Sequence, residues 1–311
     1  MKRTSSFSPF MILAGMACMA MVLIFASFTN HSPEKLAPTS DEAAARYESP
    51  LTPERMTFAG EEIPTEIIDV REKLDREMLV NSYWHSNTFL TMKRAHRWFP
   101  VIEPLLQQNG IPEDFKYLAV IESGLTQTVS PAGATGFWQF LKSTGQSYGL
   151  EVNTQVDERY HVEKATEAAC DYLRDAYEKY HDWALVAASY NMGMGGVDRA
   201  LNKQKVDSYW DLLLNSETER YVYRIAAVKQ IFSNPEAYGF VLQDGDLYAP
   251  YETEDFELDH SVSDLATFAL ELGVNYKVLK TLNPWLRSDD ITVSAGNSYT
   301  IKLPVNRDFT H

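Results

Sequence analysis

The sequence has little cysteine and no histidine pattern typical of a metal site. It contains two cysteines, and Cys18 lies within a long apolar run, so only Cys170 remains in the rest of the chain. An internal disulfide is therefore excluded there, even in an oxidising compartment. The seven histidines are scattered, and none forms a pair at metal-ligand spacing or a His-Glu-x-x-His sequence. We therefore expect no metal and no other cofactor.

Basic charge is scarce as well. The chain has 28 Lys and Arg residues against 43 Asp and Glu residues, which gives a net charge of −15. Nucleic acid is excluded as a partner, because binding to phosphates requires basic patches. The glycines at positions 193, 195 and 196 lack the preceding strand and the Gly-Lys-Ser/Thr ending of a phosphate loop, and we interpret them as a turn.

The one long apolar run lies near the N-terminus. Lys2 and Arg3 precede apolar residues 10–28, and polar residues follow. This pattern predicts an export signal or a membrane anchor over residues 1–30. The run approaches the roughly 20 residues that span a bilayer, and Phe28 stands where a cleavage site needs a small residue, which favours an anchor. Both observations predict a protein of the cell envelope.

The rest of the chain divides by composition into three parts. Residues 31–77 are rich in proline, serine, threonine and acids, and we predict a flexible linker there. Residues 78–240 show helical periodicity almost throughout and are numerous enough for one core. Residues 241–311 change character and predict a strand, two short helices and a closing strand. The fold class is therefore mainly α with a small βααβ module at the C-terminus.

One carboxylate interrupts an apolar helical stripe. The sequence Ile-Pro-Glu-Asp at residues 111–114 is typical of a helix start, because Pro112 needs no N–H there and acids suit the positive end of the helix dipole. Beyond it, apolar side chains recur at spacings of three and four, with Glu122 among them. Burial would raise the pKa of this carboxyl from about 4.3 toward neutrality, which would make it a proton donor near pH 7. An isolated Glu could equally turn to solvent or pair with an Arg.

The motifs around and after this carboxylate bear on that choice. Glu-Ser at residues 122–123 is followed by residues 129–140, by Ala-Ser-Tyr-Asn-Met-Gly at residues 188–193 and by Glu-Thr-Glu-Arg-Tyr-Val at residues 217–222. In this order and at these intervals, the motifs resemble the soluble-lytic-transglycosylase domain. Its lysozyme-like members cleave the glycan strands of bacterial peptidoglycan. The resemblance covers residues 80–240 and is nearest to the membrane-bound lytic murein transglycosylase D group.

The resemblance implies a lysozyme-like helical catalytic domain in which one carboxylate acts twice. Glu122 would protonate the glycosidic oxygen that leaves N-acetylmuramic acid, and would then accept the proton of that sugar's own 6-hydroxyl. The product would be a 1,6-anhydro end, and no water would be consumed. Tyr190 and Tyr221 each offer a hydroxyl that could hold the Glu122 carboxyl. The implied substrate-binding residues are Ser130, Gln139, Tyr190, Asn191 and Tyr221.

Two departures from the family pattern affect the predicted site. Residues 136–139 read Gly-Phe-Trp-Gln where many relatives have Gly-Leu-Met-Gln, which predicts either a narrower groove or a different stacking of side chains in it. The interval from Glu122 to Ser130 is one residue shorter than in many relatives, which predicts a different loop geometry. Ser-Glu-Thr-Glu at residues 216–219 is typical of a capping box, so we interpret Glu217 as a helix-start residue and not as a second catalytic acid.

Two other functions are compatible with the same sequence. A hydrolytic muramidase on the same fold would need a second carboxylate. A non-catalytic envelope protein could bind glycan through the groove and the C-terminal segment. That segment resembles a divergent LysM module, which implies binding to glycans that contain N-acetylglucosamine, but a structural cap is an equal alternative. The expected partners are peptidoglycan glycan strands and, through the N-terminal segment, a membrane; the sequence identifies no protein partner.

Overall fold

The computed structural model describes residues 48–305 of the 311-residue chain. The predicted signal or anchor over residues 1–30 lies outside the described residues, as does the first part of the predicted linker. By its internal contacts the chain divides into residues 1–48 and residues 49–311. The description that follows concerns the second unit. No helix of the described part is both long and apolar enough to cross a bilayer.

Helices make up most of this unit, as the apolar periodicity predicts. They are α1 (Ile68–Tyr83), α2 (His85–Gln108), α3 (Lys116–Ser123), α4 (Lys142–Ser147), α5 (Val162–Tyr180), α6 (Trp183–Met192), α7 (Met194–Gln204), α8 (Ser216–Glu219), α9 (Tyr221–Ser233), α10 (Leu265–Glu271) and α11 (Tyr276–Leu282). The strands are β1 (Met56–Phe58), β2 (Glu61–Ile63), β3 (Thr253–Leu258) and β4 (Tyr299–Pro304). Each strand pairs in one of two antiparallel two-stranded sheets, β1 with β2 and β3 with β4.

Residues 56–63 and 68–83 form regular structure before α2, which corrects the described part of the linker predicted over residues 31–77. Strands β1 and β2 form a hairpin, and Met56 and Phe58 on β1 are buried. Helix α1 buries Val70, Leu74 and Met78 on one face and packs against α9. This apolar area offsets the entropy of ordering the chain. The described prolines of this segment, Pro50, Pro53 and Pro64, flank the hairpin, where they interrupt no ladder.

Helix α9 is the centre of the helical core. It contacts α1, α3 and α6, and it is buried on nearly all sides. Its sequence accordingly lacks the polar face of a surface helix. Asn215 caps the preceding α8 by accepting hydrogen bonds from the N–H groups of Glu217 and Thr218, so the cap lies one residue before the predicted box. Arg220 separates α8 from α9.

Cys170 lies on α5, and the glycine cluster follows α6. Cys170 is fully buried and packs as a small apolar side chain. The glycine cluster differs from its interpretation as a turn. Only Gly193 lies in the turn between α6 and α7, and Gly195 and Gly196 lie inside α7.

The C-terminal module has the predicted strand-helix-helix-strand order. Strands β3 and β4 pair over their whole length. Helices α10 and α11 lie between these strands in the chain; they contact each other, and α11 also contacts β4. The module has its own apolar core, which includes Leu258, Leu279 and Ile301. Asn283 is fully buried after α11, donates to Lys302 O at 2.8 Å and accepts from Lys302 N at 2.7 Å.

The module packs directly on the helical domain. Leu286 pairs with Val156 in an antiparallel bridge, and Trp285 O accepts a hydrogen bond from Asp157 N at 2.9 Å. The guanidinium of Arg287 lies 4.2 Å from the ring centre of Tyr160. These contacts attach the loop after α11 to residues 152–160 of the helical domain.

Candidate active site

Helix α3 positions Glu122. A 3₁₀ turn over Glu113–Phe115 leads into the helix, and Phe115 and Leu118 are fully buried below its apolar face. Glu122 lies one turn beyond Leu118 on that face and is only partly exposed. The predicted place of the carboxylate within the apolar stripe is therefore confirmed. The helix ends where Gly124 adopts a left-handed conformation with φ 60°.

The surroundings of Glu122 raise the pKa of its carboxyl close to neutral pH. Burial raises the pKa of Glu122 to about 7, although a hydrogen bond from Tyr221 and the positive charge of Arg224 lower it. The nearby charge of Glu217 raises it further. The Tyr221 hydroxyl donates a short hydrogen bond to Oε1 of Glu122, as proposed for this residue from the sequence. At pH 7 the carboxyl is therefore available in both protonation states.

Glu122 lies between two cavities. One holds about 640 Å³ and is called the Gln139 cavity; the other holds about 510 Å³ and is called the Glu77 cavity. Ile121, Glu122 and Arg224 line both cavities. A chain-like ligand can therefore extend to either side of the carboxyl.

All six residues selected from the sequence line the Gln139 cavity. They are Glu122, Ser130, Gln139, Tyr190, Asn191 and Tyr221. They come from α3, the loop that follows it, α6 and α9, so residues far apart in the chain converge on one site. The sequence could rank these residues only through their motifs, since each residue type is also common in cores and turns.

The Tyr190 hydroxyl does not hold the carboxyl. It donates to Trp138 O at 2.8 Å, so only Tyr221 of the two tyrosines reaches Glu122 in the structure. The Tyr190 ring forms part of the cavity wall beside Phe140, with ring centres 5.9 Å apart. Tyr190 therefore positions the loop at Trp138 instead of the acid.

Asn191 lies near the end of α6 and is bonded to α8. Its Oδ1 accepts from Thr218 Oγ1 at 2.6 Å, and its Nδ2 donates to Glu217 Oε1 at 3.4 Å. Glu217 is exposed and lines the same cavity, so a second carboxylate is present there after all. Its backbone N–H nevertheless binds the Asn215 cap, as expected of a residue at a helix start.

Ser130 and Gln139 lie on the loop between α3 and α4. Ser130 Oγ accepts from Ala134 N at 3.1 Å, and Gln139 Nε2 donates to Gly136 O at 2.8 Å. The loop is tied to α3 by Ser123, whose hydroxyl donates to Phe137 O at 2.9 Å. Ser123 therefore links the end of the Glu122 helix to the loop that carries Gln139.

A buried ion pair supports the same loop from behind. Arg159 pairs with Asp157 through two nitrogens, and its Nη1 donates to Gly133 O and Phe140 O, each at 3.1 Å. Gly136 approaches Arg159 so closely that a Cβ at residue 136 would lie 2.0 Å from the Arg159 carbonyl oxygen. This loop geometry therefore requires glycine at position 136.

Sequence reasoning missed two charged residues of the Glu77 cavity, Glu77 and Arg224. Glu77 is buried and pairs with Arg220, 2.6 Å from its Nε. It lies on α1, inside the predicted linker, although the helical spacing of Val70, Leu74 and Met78 was a signal for that helix. Arg224 was missed because it falls outside the quoted motifs. In the described part of the chain, no group of three His, Cys, Asp or Glu side chains is arranged to hold a metal ion.

Comparison with known proteins gives consistent matches. Residues 100–213 match the family model of the transglycosylase SLT domain, and residues 254–307 match that of the soluble lytic transglycosylase C-terminal LysM-like domain. Two curated relatives, each named membrane-bound lytic murein transglycosylase D, come from Escherichia coli strain K12 and from Escherichia coli O6:H1 strain CFT073. Each is 29% identical over 258 residues, which cover 79% of this chain and 55% of the relative. The chain therefore spans about half the length of the curated relatives it matches.

Proposed function

We propose that this chain, whose residues 100–213 form a transglycosylase SLT domain, is a peptidoglycan lytic transglycosylase. It would cleave the β-1,4 bond between N-acetylmuramic acid and N-acetylglucosamine and leave a 1,6-anhydro end. The observation that carries this proposal is the state of Glu122: a partly buried carboxyl with a pKa of about 7, located where two cavities meet.

The first step uses the protonated carboxyl. Glu122 donates its proton to the glycosidic oxygen as the bond to the anomeric carbon of N-acetylmuramic acid breaks. Positive charge develops on that carbon, and Glu122 becomes a carboxylate. The Tyr221 hydrogen bond and the charge of Arg224 both favour this carboxylate.

The second step uses the carboxylate. It accepts the proton of the sugar's 6-hydroxyl, whose oxygen forms a bond to the anomeric carbon and closes the anhydro ring. Glu122 regains its proton, so the enzyme returns to its starting state and no water enters the balance. An internal nucleophile of this kind gains from proximity, with effective molarities of about 10⁵–10⁸ M for well-oriented groups.

Hydrolysis by a muramidase is a second candidate, and Glu217 is the observation that favours it. Its carboxylate lines the Gln139 cavity and could activate a water. Asn191 binds Glu217, however, and the residue is exposed at a helix start. A third candidate is a non-catalytic protein that binds glycan, but such a protein would gain nothing from a carboxyl with a pKa of about 7.

The place of action is part of the proposal. The matched relatives are named membrane-bound, and residues 1–30 have the pattern of an export signal or anchor. We infer that the folded unit acts in the periplasm on peptidoglycan strands, with the N-terminal segment as the attachment to the membrane. Binding of glycan by the C-terminal module would add to the affinity for the same substrate.

Mass spectrometry of reaction products tests the proposal. Peptidoglycan sacculi are incubated with the wild-type chain or with Glu122→Gln, and soluble fragments are analysed. The proposal predicts fragments that end in 1,6-anhydro-N-acetylmuramic acid and are one water lighter than reducing-end fragments, with release lowered by about 10²–10⁴-fold in the variant. Reducing ends would establish the muramidase instead. Binding of sacculi without release would establish the non-catalytic candidate.

A further inference from the structure

A third cavity lies between the helical domain and the C-terminal module. It holds about 370 Å³ and is called the interface cavity. Helix α2 contributes Arg94, Arg97 and Trp98, and the module contributes Trp285 and Lys302. Its volume is within the range of ligand pockets. The catalytic steps above make no use of it.

Two arginines that line the interface cavity have no carboxylate partner among the described residues. Neither Arg94 nor Arg97 forms an ion pair with a carboxylate anywhere in residues 48–305; Arg97 instead donates to Ala249 O at 2.8 Å and to Tyr251 Oη at 2.7 Å. Lys302 is neutralised by Glu163 at 3.1 Å. Burial would raise the pKa of Glu163, but His161 and Lys302 lower it to about 2, so this pair stays charged. Two guanidinium groups thus face one cavity in a chain with a net charge of −15.

The walls of this cavity are aromatic and amide groups. Trp98 packs edge-on against Phe137, with ring centres 5.1 Å apart, and Trp285 is stacked on His161 at 6.0 Å. Gln127 donates to Tyr160 O, but its buried Oε1 has no hydrogen-bond partner within the described ranges. Such a set of groups suits a ligand with carboxylates, amide N–H groups and apolar faces, which is the chemistry of an acidic peptide.

Arg94 connects the interface cavity to the catalytic groove. Arg94 and Thr126 line both the interface cavity and the Glu77 cavity, and the Glu77 cavity extends to Glu122. Arg94 uses Nη1 to bind Gly124 O at 3.2 Å, which leaves its other donors for a ligand. A substituent on a sugar in the Glu77 cavity could therefore reach Arg94 while the strand is bound at Glu122.

We propose that the interface cavity binds the carboxylate-bearing stem peptide of a muramic acid whose strand occupies the catalytic groove. This proposal rests on the proposed function, because it names a second part of the same substrate. Arg94 and Arg97 bind peptide carboxylates, and Gln127 Oε1 accepts from a peptide N–H. The module thereby contributes to substrate choice through the cavity that it completes.

Kinetics on matched substrates test the proposal. We compare kcat/KM for glycan strands that carry stem peptides with kcat/KM for strands from which an amidase has removed the peptides. The ratio of the first value to the second is measured for wild type, Arg94→Gln and Lys93→Gln. Lys93 carries the same charge on the same helix but does not line the cavity. For the wild type this ratio should be about ten or more, because only peptide-bearing strands can form the charge-assisted hydrogen bond with Arg94.

The expected result is that Arg94→Gln lowers this ratio to near one and that Lys93→Gln leaves it unchanged. A structural effect of Arg94 on α3 would lower both rates equally and keep the ratio. An unchanged ratio in Arg94→Gln, or a wild-type ratio near one, overturns the proposal. Absence of anhydro products from both substrates would instead overturn the proposed function.

A binding measurement decides the proposal independently of catalysis. The free stem tetrapeptide is titrated into full-length Glu122→Gln, and tryptophan fluorescence is followed, because Trp98 and Trp285 line the cavity. The proposal predicts a saturable change in fluorescence, with an affinity for the peptide that is about tenfold or more lower when Arg94→Gln is combined with Glu122→Gln. No saturable change with the peptide, or a change produced only by an N-acetylglucosamine oligomer, overturns it.

Discussion

The hydroxyl of Tyr221 at the start of α9 donates a hydrogen bond to the carboxyl of Glu122 at the end of α3. The two residues are 99 positions apart in the chain, and the contact of α9 with α3 brings them together. Burial raises the pKa of Glu122 to about 7, and the Tyr221 hydrogen bond opposes that rise. The pH dependence of the proposed activity should therefore depend on this contact.

Replacement of Tyr221 by Phe should shift the pH profile. The proposed mechanism starts from the protonated carboxyl, so kcat/KM of the wild type should fall as pH rises through about 7. Tyr221→Phe removes a donor that favours the carboxylate, so the pKa of Glu122 should rise further and the fall should move by about one pH unit or more to higher pH. Tyr223→Phe removes a hydroxyl from the same helix away from both cavities and is the control. Identical profiles for Tyr221→Phe and wild type would contradict the role of this hydrogen bond.

Stability should reveal the cost of the buried acid. The pKa of Glu122 is raised from 4.5 to about 7 in the folded protein, so its contribution to stability is fully present below about pH 4.5 and is lost as pH rises through 7. The free energy of unfolding of Glu122→Gln, relative to that of the wild type, should therefore increase by about 1–3 kcal/mol from pH 4.5 to pH 8. Urea unfolding at both pH values measures this gain. A constant difference across the range would indicate that the carboxyl titrates normally.

The loop at Gly136 offers a matched pair of substitutions. Both Gly133 and Gly136 have positive φ, of 81° and 78°. An alanine Cβ at residue 133 would meet no atom within 4 Å, whereas one at residue 136 would lie 2.0 Å from Arg159 O. Gly133→Ala should cost about 1–2 kcal/mol from backbone strain alone, and Gly136→Ala about 2–5 kcal/mol. Equal losses of unfolding free energy would show that Arg159 does not fix this loop.

The role of α1 is tested by its buried acid. Glu77→Ala leaves Arg220 without its partner, although Arg220 keeps some access to water, so the expected loss is about 1–3 kcal/mol. Glu72→Ala on the exposed face of the same helix should change stability by less than about 0.5 kcal/mol. Thermal or urea unfolding compares the two variants. If α1 were only a linker, neither substitution would matter.

Some features were predictable because they are local. The apolar spacing around Glu122 predicted its place on the apolar face of a helix, and the order of elements in residues 253–304 followed from short periodic runs. The structure confirms both. A burial pattern and a strand order depend mainly on neighbouring residues, which a sequence displays directly.

Other features depend on tertiary packing and could not be predicted. Composition suggested a linker before residue 78, but α1 is ordered by its contact with α9, 150 residues later. The partner of the Tyr190 hydroxyl is a backbone carbonyl at Trp138, which no side-chain motif identifies. The interface cavity exists only because the module packs on α2, so its lining residues have no common signal in the chain.

The most direct test of the central claim is to run the reaction in water labelled with oxygen-18 and to analyse the new glycan ends by mass spectrometry. In the proposed mechanism the 6-hydroxyl of the substrate supplies the attacking oxygen, so the account predicts anhydro ends that contain no label. Ends that carry one labelled oxygen from the solvent would contradict it and would assign Glu122 to a hydrolytic mechanism.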